Sequence, residues 1–414
     1  MIAASETMKK KRKIKDSVLN IITYLSSALS VFVLLAIFVF IFSKGSGTLG
    51  LKMLTGNYWS SNYMLSVEEA YNKPGNFERP SDLDENVFFS SKWGIGFVDA
   101  KDTNKDDIIL VEYIDKNSPF LKMIDESVKT KDKRQVEVGY QVENLPYTDA
   151  NGVGGIGGAI MSQSAKDLAD TLDTQAVSIG KVYFKTPGGG VRGSIITTLY
   201  LIAVSLLIAL PLGIAAAIYL HEYAKVNKLT SIIRSGIEML TGVPSIIFGL
   251  MGVTVLFPVT QLFGAKTTNV LLGGLTMAII LLPTIIRSTE EALIVVPQSL
   301  RDASLSVGAN QSQTIFKVVL PCAVPGILTG VLLSIGRVIG ESAALIYTMG
   351  TYVNDAPTLT TQGTSLAVQI YNIMSSEQPN FELACAISII ILVFVLILNI
   401  TVKYLSKRFS KAWY

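Results

Sequence analysis

Six stretches of roughly 20 apolar residues, each able to cross a hydrocarbon layer about 30 Å thick, constrain this chain more than any other feature. They lie near residues 19–42, 195–220, 237–260, 268–287, 322–346 and 384–402. In hydrocarbon each backbone N–H and C=O must be satisfied within its own segment, so runs of this length fold as helices. The expected fold class is therefore an all-α polytopic membrane protein with six transmembrane helices, lipid being its main surrounding. Charged residues make up only 16% of the chain, against about 25% in soluble domains. Lys and Arg total 35 against 32 Asp and Glu, too balanced for the basic surface that nucleic acid requires, so no nucleic-acid partner is expected. The single histidine, His221, and the two cysteines, Cys322 and Cys385, supply neither a metal-ligand set nor a disulfide framework.

The charges between the spans set an orientation. The first span, 19–42, follows the basic segment 1–18, and its apolar run is longer than the core of a cleavable signal, so it reads as a retained anchor. Placing that basic end inside also places Lys225, Lys228, Arg234, Arg301, Lys317, Lys403 and Lys407 inside. Both termini, including the tail 404–414, are then expected to be cytoplasmic. The outer loop 347–383 carries no Lys or Arg, and the short loop 261–267 carries only Lys266.

The segment 43–192 is hydrophilic and falls outside on this scheme. Loops of this length translocate whatever their charge, so it is expected to be an extracytoplasmic domain. Alternating or β-branched runs at 94–98, 108–114, 136–142 and 181–185, with a helix-like stretch at 164–172, indicate a small mixed α/β fold. Over roughly 92–186 the order of these pieces resembles a PDZ domain. Trp93-Gly94-Ile95-Gly96-Phe97 is similar to the carboxylate-binding loop of that family, and Asn117-Ser118-Pro119 to its next turn. Tyr140 stands where Asp is usual, and 129–134 is an insertion. The resemblance implies that Gly94, Ile95, Gly96 and Phe97 offer N–H groups to a peptide's terminal carboxylate while the sheet edge accepts the peptide as a strand. The spacing Gly152-Val153-Gly154-Gly155-Ile156-Gly157 mimics a dinucleotide-binding turn, but turn formers precede it and no βαβ unit surrounds it, so a flexible loop is expected. Gly188-Gly189-Gly190 is expected to be a hinge into the second span.

Between the fourth and fifth spans the segment 298–320 is too polar for the bilayer and reads as helix, turn, helix, with Gly308-Ala309 as the break. Its register resembles the signature of ABC importer permeases: Glu-Ala-Ala, three residues, Gly, nine residues, Ile-x-Leu-Pro. Asp302, Ala303, Ser304, Gly308, Val318, Leu320 and Pro321 occupy those positions, with conservative changes at three of them. The resemblance implies a type I ABC importer permease core over 193–403, whose short helix fits a groove on a cytoplasmic ATPase. No G-x-x-x-x-G-K-[ST] occurs in the chain. ATP and Mg are thus expected on a partner ATPase, with no cofactor and no catalytic residue on this chain, which reads as a transport subunit and not an enzyme.

From Gly189 onward a finer resemblance appears. Thr197-Thr198-Leu199, the run from Pro211 to Ala224, Gly242-Val243-Pro244-Ser245 and Gly340-Glu341-Ser342-Ala343 are similar to the A-type permease subunits of phosphate-specific ABC transporters of bacterial cell membranes. That resemblance implies inorganic phosphate as substrate, a second related permease, an ATPase dimer and an extracytoplasmic phosphate-binding protein as partners. The domain 43–192 is outside the usual pattern. A permease for another oxyanion, sulfate or molybdate, and a membrane-anchored peptide sensor both stay open as readings.

Arg337 and Glu341 stand four residues apart in the fifth apolar run, in line with Gly326, Gly330 and Ser334. A charge at that depth must face protein or water. The pair is expected to line the substrate pathway, Arg337 binding an oxyanion through two parallel N–H groups and Glu341 accepting a hydrogen bond from a P–OH. A buried ion pair that only locks helices together is the competing reading. Pro244, Ser245 and Pro283 interrupt the third and fourth runs and are expected gating kinks. His221 is assigned no role.

Overall fold

The computed structural model describes residues 2–101, 106–126, 132–186, 188–225, 227–376 and 379–411. The chain opens with a long helix, α1 (Ile2–Gly45), and a single turn, α2 (Leu51–Thr55). An antiparallel, curved sheet follows, built from β1 (Asn62–Val67), β2 (Phe88–Ser90), β3 (Ile95–Lys101), β4 (Asp107–Ile114), β5 (Met123–Asp125), β6 (Lys133–Arg134), β7 (Gln141–Thr148), β8 (Gly154–Gly157), β9 (Ser178–Ile179) and β10 (Lys181–Lys185). The main path of the sheet runs β2-β3-β4-β7-β10-β1-β5-β6, with β8 and β9 both on β7. Period-two alternation turns Ile109 and Val111 of β4 and Val182 and Phe184 of β10 into one core with Trp93, Phe97 and Phe120. The helix α3 (Ala165–Thr174) closes that core with Ala165, Leu168, Ala169 and Leu172, at helical spacing. Ser164 caps it: its Oγ accepts from Asp167 N, and Asp167 Oδ2 accepts in return from Ser164 N. Ser164 Oγ also donates to Asp167 Oδ2 at 2.8 Å, and this bond, followed by the one from Ser164 N, holds the Asp167 carboxyl below the usual carboxylate range.

The expected carboxylate-binding loop is a tight hairpin turn instead. Phe88, Phe89 and Ser90 pair with Phe97, Gly96 and Ile95, while β4 takes the other side of β3. Gly94, Ile95, Gly96 and Phe97 therefore leave no open edge for a peptide. The turn does bind a carboxylate, but it belongs to the chain: Asp173 accepts from Ser91 N at 3.0 Å, Lys92 N at 3.1 Å and Ser91 Oγ at 2.9 Å. Of the expected insertion, 129–131 lies outside the described residues. The glycine-rich run expected to be a flexible loop is the strand β8, with Gly154 to Gly157 opposite Thr148 to Leu145.

The expected hinge at Gly188-Gly189-Gly190 is a zipped neck. Gly189 N donates to Tyr58 O and Gly190 N to Asn57 O, both at 2.9 Å, and any Cβ on Gly190 would overlap the Gly56 carbonyl. The neck is also clamped sideways: Trp59 Nε1 donates to Val353 O at 2.6 Å, Tyr58 N donates to Asp355 Oδ1 at 2.6 Å, and the Trp59 ring stacks on Tyr352 with centroids 5.8 Å apart.

Beyond the neck come α4 (Arg192–Ile218), α5 (Lys228–Gly242), α6 (Ser245–Met251), α7 (Phe257–Gln261), α8 (Val270–Val295), α9 (Gln298–Ser306), α10 (Gln311–Thr314), α11 (Leu320–Gly340), α12 (Ala343–Met349), α13 (Leu366–Met374) and α14 (Phe381–Lys411). Among the described residues, five helices are long and apolar enough to cross a membrane, or six if the bent pair 228–261 counts as one. The interruption expected at Pro244 is a sharp turn: the chain bends by 104° between Gly242 and Ser245, where Pro244 takes an extended ψ of 137° and cannot donate into the helix. Pro283, in contrast, sits buried within an unbroken α8. The apolar part of α1 has exposed side chains along its length and packs against α14, where a Cβ on Gly45 would lie 2.7 Å from Ala386 N.

Two outcomes follow. Asp173→Ala strands Ser91 N, Lys92 N and the hydroxyls of Ser90 and Ser91 and should cost about 2–3 kcal/mol in the sheet domain, read as faster amide exchange over 88–97 with α8 unchanged; protection of that turn by an added carboxyl-terminal peptide in the parent would restore the peptide reading. The stability supplied by Asp167 is fully present above the unfolded Asp value of about 3.9. It is lost as pH falls through the lower folded value, so the first turn of α3 should fray on acidification in the parent and not in Asp167→Asn.

Candidate functional site

At the end of α4 and α8 remote from the sheet domain, the chain forms a polar helical hairpin. Pro297 opens α9 with its preset φ of −57°, and α9 closes in a left-handed cap. Gly308 has φ +90°, Gly308 N donates to Leu305 O at 3.0 Å, and Ala309 N reaches back to Ser304 O at 3.2 Å. Asn310 and Gln313 form a reciprocal cap on α10, and Ser304 Oγ meets Thr314 Oγ1 at 2.9 Å across the hairpin. A π-turn, Ile315–Val319, leads into α11, with Leu320 and Pro321 at the junction. No residue of α9 is buried; Asp302, Ala303 and Leu305 are exposed, and Val307 beside them is 86% exposed. The signature residues therefore divide: Ser304 and Gly308 shape the turn, while Asp302 and Ala303 face outward.

Sequence reasoning missed what fastens this hairpin. Arg301 donates to Val296 O at 2.7 Å, to Leu293 O at 3.0 Å and to Glu222 Oε1 at 3.0 Å. Glu222 sits in a π-turn, Tyr219–Tyr223, that ends α4, and its carbonyl accepts from Gln311 Nε2 at 2.9 Å. His221 and Glu222 line a cavity of about 650 Å³ between that turn, the end of α8 and α9. Arg301 was visible in the sequence as a cytoplasmic-side charge just before the signature, but its partner lies 79 positions away, with no local sign of the pairing.

The fifth run also departs from expectation. The helix α11 stops at Gly340; Glu341 is extended, with φ −76° and ψ 131°, and α12 starts two residues later. Arg337 and Glu341 thus do not share a helix, and no ion pair joins them among the described residues. Glu341 Oε1 instead accepts from Ala344 N at 3.3 Å in the first turn of α12. The expected stripe splits as well. Gly330 and Gly326 pack on α8, where a Cβ would lie 2.5 Å from Ser288 Cβ and 2.6 Å from Ala292 Cβ, and Ser334 is buried beside them. Arg337 lies on the opposite, exposed face with Leu333, Gly336 and Gly340, and nothing approaches either of those glycines within 4 Å. A second charged group was overlooked: Arg234 of α5 pairs with Glu290 of α8 at 2.8 Å, and both border a small cleft with Glu238, Pro283 and Arg287.

The polar hairpin between two spans carries the permease-like register, and the comparisons supply the family. Residues 209–411 match the family described as binding-protein-dependent transport system inner membrane component. The chain belongs to this family of ABC importer permeases, multi-pass inner-membrane components that work with ATPase subunits and binding proteins and are not themselves catalytic. It is 32% identical to the probable ABC transporter permease protein YqgI of Bacillus subtilis over 292 residues, 65% of this chain and 98% of that one. It is 35% identical to the phosphate transport system permease protein PstA of Pasteurella multocida, covering 58% of this chain and 86% of that one. The PstA of Haemophilus influenzae is 32% identical, with 56% and 82% covered.

The split of α11 into a packed and an open face is directly checkable. With Cys322 and Cys385 replaced by Ser, Gly336→Cys should react with a water-soluble maleimide at least about tenfold faster than Ser334→Cys, because the open face must meet water or protein and not lipid. Labelling of Gly336→Cys only by a lipid-soluble reagent would put Arg337 toward lipid and contradict the assignment.

Proposed function

We propose that this chain is one permease half of an ATP-driven importer of inorganic phosphate. The observation that carries the reading is Arg337 on the open face of α11, one turn before the helix breaks at Glu341. A guanidinium offers two parallel N–H groups to an oxyanion, and desolvation near the bundle strengthens that bond. Glu341, held at the start of α12, repels a fully ionised anion such as sulfate but accepts a hydrogen bond from the P–OH of hydrogen phosphate. Attraction and selection are thus assigned to different residues. The names of two relatives, phosphate transport system permease protein PstA, support the same substrate.

In this reading the termini and the α9–α10 hairpin are cytoplasmic, and the sheet domain is extracytoplasmic. A second, related permease covers the open face of α11, where Gly336 and Gly340 allow close helix approach. An ATPase dimer, carrying the ATP and Mg, receives α9 through Asp302, Ala303 and the exposed Leu305 and Val307. The phosphate-binding protein delivers substrate from outside, where the clamped neck presents the sheet domain as a rigid surface beside the mouth. Among the expected gating residues, Pro244 and Ser245 stand at the 104° turn and are the joint; Pro283 in unbroken α8 is assigned a strut's role.

The test is uptake of labelled phosphate in cells lacking their own high-affinity system, with the partner subunits supplied. Uptake should vanish in Gly308→Trp, which cannot adopt φ +90° without strain, while membrane insertion persists. Arg337→Gln should lower uptake by about tenfold or more, and Glu341→Gln should erode the preference for phosphate over sulfate. Equal transport of phosphate, sulfate and molybdate by the parent would move the assignment to another oxyanion.

A further inference from the structure

The helix α9 has no buried residue and is flanked by two natural joints, the extended Val296-Pro297 pair and the left-handed Gly308. A lever hinged at both ends would swivel and transmit little. What prevents this is the contact with the end of α4. The π-turn Tyr219–Tyr223 adds a residue to that helix end and puts Glu222 over α9. Its carboxylate meets the Arg301 guanidinium with only 11% and 13% of the two side chains exposed. Arg301 simultaneously closes the last carbonyls of α8, Leu293 O and Val296 O. On the second arm of the hairpin, Gln311 Nε2 donates to Glu222 O, and Tyr223 Oη meets Ser312 Oγ at 3.0 Å.

We propose that Glu222 and Arg301 form a latch that makes α9 one rigid body with the ends of α4 and α8, so that force applied to α9 moves that helix pair instead of bending the Pro297 joint. This rests on the reading above, in which a partner ATPase pushes on α9. Both latch residues are positioning residues: neither faces the open side of α11, and neither is among the outward groups of α9. A charged bond with both partners largely desolvated holds its geometry more firmly than a surface pair. Its removal leaves Arg301 its two carbonyl bonds, so the hairpin is expected to loosen without unfolding.

The experiment uses the full chain with its partner subunits in proteoliposomes and compares the parent with Glu222→Ala and with Glu222→Gln, which retains an acceptor. Expected are ATP hydrolysis within about twofold of the parent, phosphate moved per ATP lowered about tenfold in Glu222→Ala, and a partial recovery in Glu222→Gln. Amide exchange, measured without substrate, should quicken over 298–306 in Glu222→Ala and stay unchanged over 272–286. Hydrolysis and uptake falling together, with exchange rising through α4 and α8, would reduce the pair to a fold-holding contact. Unchanged exchange in α9, or looser α9 with an unchanged uptake-to-hydrolysis ratio, would also overturn the latch. A parent that hydrolyses ATP but moves no phosphate would fail the substrate assignment alone, and the exchange comparison would still judge the latch.

Discussion

The close pass of α4 against α8 is the contact on which the rest of this protein depends. A Cβ on Gly213 of α4 would lie 2.6 Å from the Ile285 side chain, and one on Gly274 of α8 would lie 2.5 Å from that of Val204. Hydrocarbon provides no hydrophobic force between helices, so such close backbone approach and the dispersion it brings are what hold them. Leu201, Met277 and Leu281 fill the seam and are fully buried. Two helices of 27 and 26 residues, about 40 Å long, thereby become a single strut.

Polar contacts take over at both ends of that strut. On the sheet-domain side Ser194 meets Thr364, Thr198 Oγ1 accepts from Leu366 N, and Val270 N donates to Thr361 O. The loop so fixed is the one that grips Trp59 and Tyr58 in the neck. On the other side Arg301 joins the ends of both helices to α9. The spine is thus stiff from neck to hairpin, and the compliant features lie beside it: the turn at Pro244 and the break at Glu341. Motion within such a molecule concentrates where backbone hydrogen bonds are already interrupted.

How much of this could be read from the sequence follows from where each constraint leaves its mark. A membrane span writes its length into composition, so the long helices were legible. The α9–α10 turn was legible because a left-handed cap demands Gly308 and a helix start favours Asn310, both local requirements. Pro244 and Pro283 carry no such mark: the same residue breaks one helix and rides inside another, and only the surrounding packing decides. The stop at Gly340 is equally hidden, since the spacing of Arg337 and Glu341 suits one continuous helix and the structure ends it between them. Long-range pairs were out of reach. Asp173 lies 82 positions from Ser91, and the loop motif around Gly94 says nothing about which strand covers its edge.

The open face of α11 then acquires a physical meaning. One side of this helix is committed to the strut through Gly326, Gly330 and Ser334, and its register is fixed there. The other side presents a guanidinium between two glycines with nothing against them, an arrangement that costs several kcal/mol if it faces lipid. Glu341 has turned away to cap α12 and does not neutralise that charge. The face is therefore complete only when water, an anion or another protein surface covers it. Because the same helix is bolted to the strut on its far side, any tilt of α4 and α8 carries Arg337 with it. That places the charge that would meet substrate and the hairpin that would meet an ATPase on one mechanically continuous body.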